Sequence, residues 1–193
     1  MSELSDRIDR RNEIGITLSV ETDTSKLLEL IMTDAKALTH AAGGSLYFFN
    51  DLELTFEIIS SDTLDLQMGG TSGNEITFPA IPLDIDGHES HAKVVTHCVL
   101  TGQTINNTDA YHEDGFDFIG TRNFDSKTGY RSRSMLTFPP KDHEQEIIGV
   151  LQLINVTDDA NGEVIEFSKI SNSSRRLLPE TAPTSKARNY PSA

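Results

Sequence analysis

Six histidines and a single cysteine are the side chains best suited to bind a metal or attack a substrate. His88, His91 and His97 share one segment with Asp84, Asp86 and Glu89, a nitrogen and oxygen donor set suited to a divalent ion. No two of these histidines stand four residues apart, as a helical zinc pair requires, so they read as solvated surface groups and no metal site is expected. Asp84-Ile-Asp86-Gly87 begins like a calcium loop, but Glu89 falls where the sharp turn of that loop needs glycine. Asp142-His143 lies in an expected hairpin turn and carries no dyad. Cys98 follows Val95 and precedes Val99 on an apolar helix face, where a thiol packs as a small hydrophobe and burial keeps it protonated. Nucleotide-binding glycine motifs and the nucleophile elbow are absent from the sequence. No catalytic residue is expected, and the chain reads as a non-enzyme.

The elements that hold these residues follow from periodicity. Leu4, Ile8, Ile14 and Leu18 predict an amphipathic helix over residues 3–19. Asp23 and Thr24 offer N-cap oxygens to a second helix, with Leu27, Leu28, Ile31, Ala35, Leu38 and Ala42 on one broad face and a stop at Gly43-Gly44. Ser45 to Phe49 and Leu54 to Ile59 predict a hairpin turned by Asn50-Asp51. Residues 61–87 read as a long connection holding one short strand, Glu75 to Phe78. A helix over 89–101 ends at Gly102, and Thr104 to Asn106 forms a short strand. Residues 107–129 read as a polar, aromatic-studded loop, long enough to suggest a role in binding. Ser132 to Phe138 and Ile147 to Val156 pair as a second hairpin, followed by Val164 to Phe167.

With hydrophobic residues at 36% and charged residues at 24%, the chain of 193 residues can build one domain core. A net charge of -14 repels phosphate backbones and anionic headgroups, so nucleic-acid and membrane-surface binding are not expected. No apolar run approaches the roughly 20 residues of a membrane span. The charged start without an apolar stretch, and the lone cysteine, predict a cytoplasmic protein. Residues 171–193 hold four basic and one acidic side chain against 12 and 29 before them, and are rich in Ser, Pro and Thr. This predicts a disordered or non-native tail. The expected organisation is an amino-terminal helix in 1–20, a domain in 21–170 and the tail in 171–193.

One block carries more information than periodicity. Thr128-Gly-Tyr-Arg131, the strand end Phe138-Pro139 and Gly149-Val-Leu-Gln-Leu-Ile-Asn155 stand in the same order as Gly44-Ser-Leu-Tyr47 and Leu100-Thr-Gly-Gln103 before them. In these motifs, from about Thr22 to Phe167, the chain resembles a GAF domain of the cyclic-nucleotide phosphodiesterase and cyclase type. The resemblance implies an α+β fold: a central antiparallel sheet of about six strands, terminal helices on one face, and on the other a ligand pocket roofed by helices and loops. It further implies a small-molecule-sensing regulatory domain of a bacterial signal-transduction protein. The output module, an HD-type phosphohydrolase, cyclase or kinase, is not expected within these residues.

The same resemblance implies the pocket: Ser45, Ile59 and Ser60 as floor, Val94 and Val95 as cover, and Asp125, Thr128, Ser132 and Gln152 as the few polar groups that orient a ligand. Its cofactor, if any, is unknown. The partner is an unidentified, nucleotide-like small molecule, with a homodimer formed through the amino-terminal helix. Asn155 and Phe167 keep the closing motif of the cyclic-nucleotide relatives, but Val156 replaces its Lys, and Ser171-Asn172 its acidic pair. Ser60 stands where guanine-binding relatives place an acidic acceptor, so a compact polar or anionic ligand is expected over cyclic GMP. A dimerisation module with a vestigial pocket and a free-standing enzyme on the same fold, such as a methionine sulfoxide reductase, are the rival readings; the enzyme would need reactive cysteines.

Overall fold

The computed structural model describes residues 24–50, 52–141, 144–158 and 161–169. The expected helix over 3–19 and the tail over 171–193 lie outside the described residues, as does the Asp142-His143 pair. The first described helix, α1, runs over 24–39. It ends at His40, whose φ of 57° makes the left-handed turn, and β1 (Ala41–Asn50) follows at once. The expected stop at Gly43-Gly44 is therefore corrected. These glycines lie inside the strand because α1 packs closely on it: a Cβ at Gly44 would stand 2.8 Å from Met32 Sδ and 3.0 Å from the Gln152 carbonyl oxygen.

β1 turns at Asn50, whose Oδ1 accepts from the Leu52 and Glu53 N–H groups, into β2 (Glu53–Ser61). The connection after it contains β3 (Leu66–Gly69), β4 (Ile81–Pro82), β5 (Asp84–Ile85) and β6 (His88–Glu89). Glu75 to Phe78 forms no strand, against expectation, and crosses as irregular chain. Helix α2 (Val94–Thr101) stops at the left-handed Gly102, and β7 (Ile105–Asn107) follows. The polar segment expected as a loop holds helix α3 (Ile119–Thr128), then come β8 (Met135–Phe138), β9 (Gly149–Thr157), β10 (Val164–Ile165) and a 3-10 turn at Phe167–Lys169.

Eight of the strands form one antiparallel sheet in the order β3-β2-β1-β9-β8-β7, with β4 and β10 as short additions to β2 and β9, while β5 and β6 pair separately as a two-stranded ribbon. This is the expected α+β sheet with a six-strand path. Alternation divides its side chains between two cores. Leu46, Ile58, Leu136, Leu151 and Leu153 pack with Met32 of α1 on one face. Tyr47, Leu54, Met135 and Val150 face α2, through Val94, Val95, Cys98 and Val99, together with Phe118 ahead of α3.

Candidate functional site

Between the second face and its cover lies a cavity of about 340 Å³, within the range of small-molecule sites. Register builds its floor: Ser45 of β1 stands between Ile59 of β2 and Gln152 of β9, and the next inward residue on β1 is Tyr47. Val94 and Val95, at the start of α2, close one side, and Phe124 of α3 closes another. The irregular chain after β3 brings Phe78 across the opening. Ring centroids then run from Tyr47 to Phe56 at 4.6 Å, to Phe78 at 5.5 Å and to Phe124 at 6.3 Å. These rings and the valines give the cavity flat apolar walls.

The polar groups are few. Burial raises the Tyr47 hydroxyl well above its ordinary pKa, against the opposing hydrogen bond with Ser45, so it stays a neutral phenol. Gln152 Nε2 donates to Thr137 Oγ1 at 3.0 Å, which fixes the amide in the floor. Asp117 lines the cavity ahead of α3; its Oδ1 accepts from the Ile119 N–H at 2.8 Å, and Lys93 Nζ stands 3.3 Å from Oδ2. The Ile119 hydrogen bond and then Lys93 hold this carboxyl below the usual carboxylate range despite desolvation. An ion pair thus spans from the cap of α2 to the start of α3 at the cavity wall.

Ser45, Ile59, Val94, Val95, Ser132 and Gln152 line the cavity; Ser60 borders it but turns its hydroxyl to the other face of the sheet, against the expected floor role, and Asp125 and Thr128 lie outside the lining. Asp125 is buried behind the wall, where its Oδ2 accepts from the Ser132 N–H at 2.8 Å and from the Tyr111 hydroxyl at 2.9 Å, while Oδ1 accepts from Ser132 Oγ at 2.8 Å. Thr128 is exposed, and its hydroxyl donates to the Phe124 carbonyl. Ser60 shares the helix-facing side of β2 with Ile58. Its Oγ accepts from Lys36 Nζ of α1 at 2.9 Å, and Asp62 also pairs with that ammonium. Sequence reasoning missed Tyr47, Phe56, Phe78, Lys93, Asp117 and Phe124. The aromatic content of 107–129 was the available signal for Phe124.

Asn155 holds the wall from behind. At a φ of 56° its Nδ2 donates to Tyr130 Oη at 2.9 Å and to the Arg131 carbonyl at 2.7 Å, and its Oδ1 accepts from the Arg133 N–H. Tyr130 itself lines the cavity, and burial raises its hydroxyl pKa. Cys98 is buried, with its thiol pushed up to about 12 by desolvation, and is no nucleophile at neutral pH. Among the described residues, no three His, Cys, Asp or Glu side chains converge to hold a metal ion. His91 and His97 are nonetheless partly buried and meet edge to face, which corrects their reading as solvated groups.

A sheet with a helix on one face and a half-open, aromatic-walled cavity under helices on the other is an α+β architecture suited to holding a small molecule. The chain belongs to the GAF domain family, whose sequence model matches residues 23–176. It is 29% identical over 145 residues to the cGMP-specific 3',5'-cyclic phosphodiesterase of Drosophila sechellia, covering 72% of this chain and 11% of that protein. It is 38% identical over 77 residues to the dual 3',5'-cyclic-AMP and -GMP phosphodiesterase 11 of Drosophila melanogaster, covering 40% of this chain and 5% of that protein. The chain therefore spans about a tenth or less of these relatives. Among solved structures, the GAF domain of a two-component sensor histidine kinase from Bacillus halodurans superposes with a TM-score of 0.50 at 12% identity, covering 79% of this chain and 83% of that one. The GAF domain of a phosphoenolpyruvate-protein phosphotransferase from Coxiella burnetii gives 0.50 at 12%, covering 86% and 83%. At this identity the two share the fold.

Proposed function

We propose that the chain is a non-catalytic, small-molecule-sensing domain of a cytoplasmic signalling protein, whose ligand occupies the cavity and biases an output module such as an HD-type phosphohydrolase, cyclase or kinase. The observation that carries this reading is the cavity: flat apolar walls, a floor of Ser45 and Gln152, and the Lys93–Asp117 pair at one side. Such a site suits a flat ring with a polar edge. The cyclic-nucleotide names of the fly relatives make cyclic AMP and cyclic GMP the first compounds to test. Cyclic GMP should bind the more weakly, because the Ser60 hydroxyl faces Lys36 and no carboxylate stands on the floor to accept from a guanine edge. A missing charge-assisted bond of this kind costs roughly 1.5–3 kcal/mol, tenfold or more in affinity.

Thermal denaturation with each cyclic nucleotide and with a panel of small metabolites checks the reading. A ligand at 100 times its Kd should stabilise the protein by about 2.7 kcal/mol. Ser45→Leu, which fills the floor, should abolish that shift while the unliganded protein still melts cooperatively. Silence of the wild-type protein across the panel would favour the dimerisation module with a vestigial pocket.

A homodimer is the second reading, and a separate observation favours it. Leu27, Leu30, Ile31 and Leu38 lie outward on α1 at 56, 55, 41 and 45% exposure, while Met32, Lys36 and Thr39 turn inward. Four large apolar side chains along one helix face form a stripe suited to the same helix of a second protomer. This stripe offers a contact beside the one expected through residues 3–19, which lie outside the described residues. Analytical ultracentrifugation around 10 μM, the scale of a modest interface, should show a dimer for the wild type and a monomer for Leu27→Lys/Ile31→Lys. A wild-type monomer would exclude this reading. Among the described residues, no helix is long and apolar enough to cross a membrane.

A further inference from the structure

We propose that the paired imidazoles of His91 and His97 form a two-ligand site for a first-row divalent transition-metal ion such as Zn²⁺ or Ni²⁺, clamping the start of α2 outside the cavity. The two rings meet edge to face, their planes 68° apart, with Nδ1 to Nδ1 at 3.1 Å and centroids 5.0 Å apart. Two imidazole nitrogens bound to one tetrahedral ion at about 2.0–2.1 Å stand about 3.3 Å apart, so a small outward shift, with a rotation of each ring that turns its lone pair off the N–N line and toward the ion, admits it. His91 comes from the chain ahead of α2, and His97 from its second turn. The chain between them wraps the helix start, which is how a spacing of six residues brings the rings together.

The surrounding groups select the tautomer that a ligand needs. His91 Nε2–H donates to Glu89 Oε2 at 3.2 Å, which leaves the lone pair on Nδ1 directed at His97. A carboxylate on the far nitrogen is the support that metal-bound histidines commonly have, and it raises the basicity of the ligating nitrogen. Without metal, His97 Nδ1–H donates across the gap; with metal, that proton leaves, or moves to Nε2, and both Nδ1 lone pairs reach the ion. His97 is packed edge-on against Phe116, with ring centroids 5.4 Å apart. Lys93, the nearby cation, is held by Asp117. Neutral imidazoles prefer zinc, nickel and copper over calcium and magnesium, and solvent completes the coordination sphere.

The site reaches beyond small-molecule sensing because none of its three side chains lines the cavity, while the helix it clamps presents Val94 and Val95 there. Calorimetric titration of the full chain with ZnCl₂ and with NiCl₂ tests it, alongside His91→Gln, His97→Gln and Glu89→Gln. One saturable site is expected in the wild type, weakened at least tenfold by either histidine substitution and about tenfold by Glu89→Gln. Co²⁺ should give a visible absorption band in the wild type that His91→Gln lacks, a signature that general destabilisation does not mimic. If His97→Gln fails to fold, the more peripheral His91→Gln decides the matter. Equal affinity in the wild type and His91→Gln, or no saturable binding at millimolar metal, would overturn the proposal.

Discussion

Asp125→Ala should lower the free energy of unfolding by about 3–5 kcal/mol, the cost typical of removing one partner from a buried charged network. The carboxylate is 2% exposed and accepts three hydrogen bonds: two from Ser132, through its N–H and hydroxyl, and one from Tyr111. Truncation leaves the Ser132 groups buried without an acceptor, at about 1–3 kcal/mol each. The Tyr111 hydroxyl can recover part of its loss from solvent, because that residue is only half-buried. A domain with about 5–15 kcal/mol of total stability would lose a large share of it. Asp125→Asn should cost less: with its amide oxygen in the Oδ2 position it still accepts from the Ser132 N–H and the Tyr111 hydroxyl, and its new N–H₂ can donate to Ser132 Oγ, whose hydroxyl can turn to accept. Urea titrations followed by circular dichroism should rank wild type above Asn above Ala in midpoint, with unchanged slope. A loss below about 1 kcal/mol for the alanine variant would show that Asp125 does not hold the Ser132 wall.

That role for Asp125 marks where sequence reading and structure part. The strands were legible because each alternates or runs apolar between turn residues, as in Leu54 to Ile59 and Gly149 to Val156. The end of α1 was misplaced because two mechanisms compete for glycine: a left-handed helix stop, and room for a neighbour. His40 makes the stop, while Gly44 serves the approach of Met32 and Gly43 that of the Ser60 carbonyl on β2. Helix α3 was invisible to periodicity because it is nearly polar all round, and Asp125 is its buried residue. The face of α1 was half legible: Leu28 and Ala35 pack inward, yet the inward residues include Lys36 and Thr39, while Leu27, Leu30, Ile31 and Leu38 point out. A hydrophobic pattern read alone assigns the apolar stripe to the core, whereas this helix carries a second apolar stripe facing outward.

The candidate site divides in the same way. Alternation within each run places Ser45, Ile59 and Gln152 on one face from sequence, and Val94 and Val95 follow from the apolar side of α2; the register shift between Leu46 and Tyr47, which returns Phe56 to the cavity face although Ile58 faces α1, has no such signal. Ser60 reverses side because it follows Ile59 by one residue, and it is taken up by Lys36 of α1. Phe78 and Asp117 lie on irregular chain, for which sequence offers no period, and only tertiary contacts place them at the cavity.

Gly149→Ala should be as damaging as the loss of Asp125, for a steric reason rather than a polar one. At this position, opposite Phe48 in the β1–β9 ladder, an added Cβ would lie 2.2 Å from the Tyr47 carbonyl oxygen. No side-chain rotamer relieves that contact, since the obstructing atom belongs to the backbone of the adjacent strand. The end of the ladder must open or slide, disturbing Phe49 N–H···O=C Ile148 beside it and tilting Tyr47. Tyr47 and Val150 both belong to the core under α2, and Tyr47 also lines the cavity, so the damage reaches the site. Overpacking of this kind costs about 1–3 kcal/mol when side chains can yield, and a backbone obstruction places the cost at or above the top of that range. The midpoint in urea should fall accordingly, and any ligand-induced thermal shift should shrink with it. Gly120→Ala, on α3, provides the contrast: a Cβ there meets nothing within 4 Å, and alanine favours a helix, so that variant should be neutral or slightly stabilised. Equal midpoints for the two variants would show that the β1–β9 approach at Gly149 is not a fixed contact of the fold.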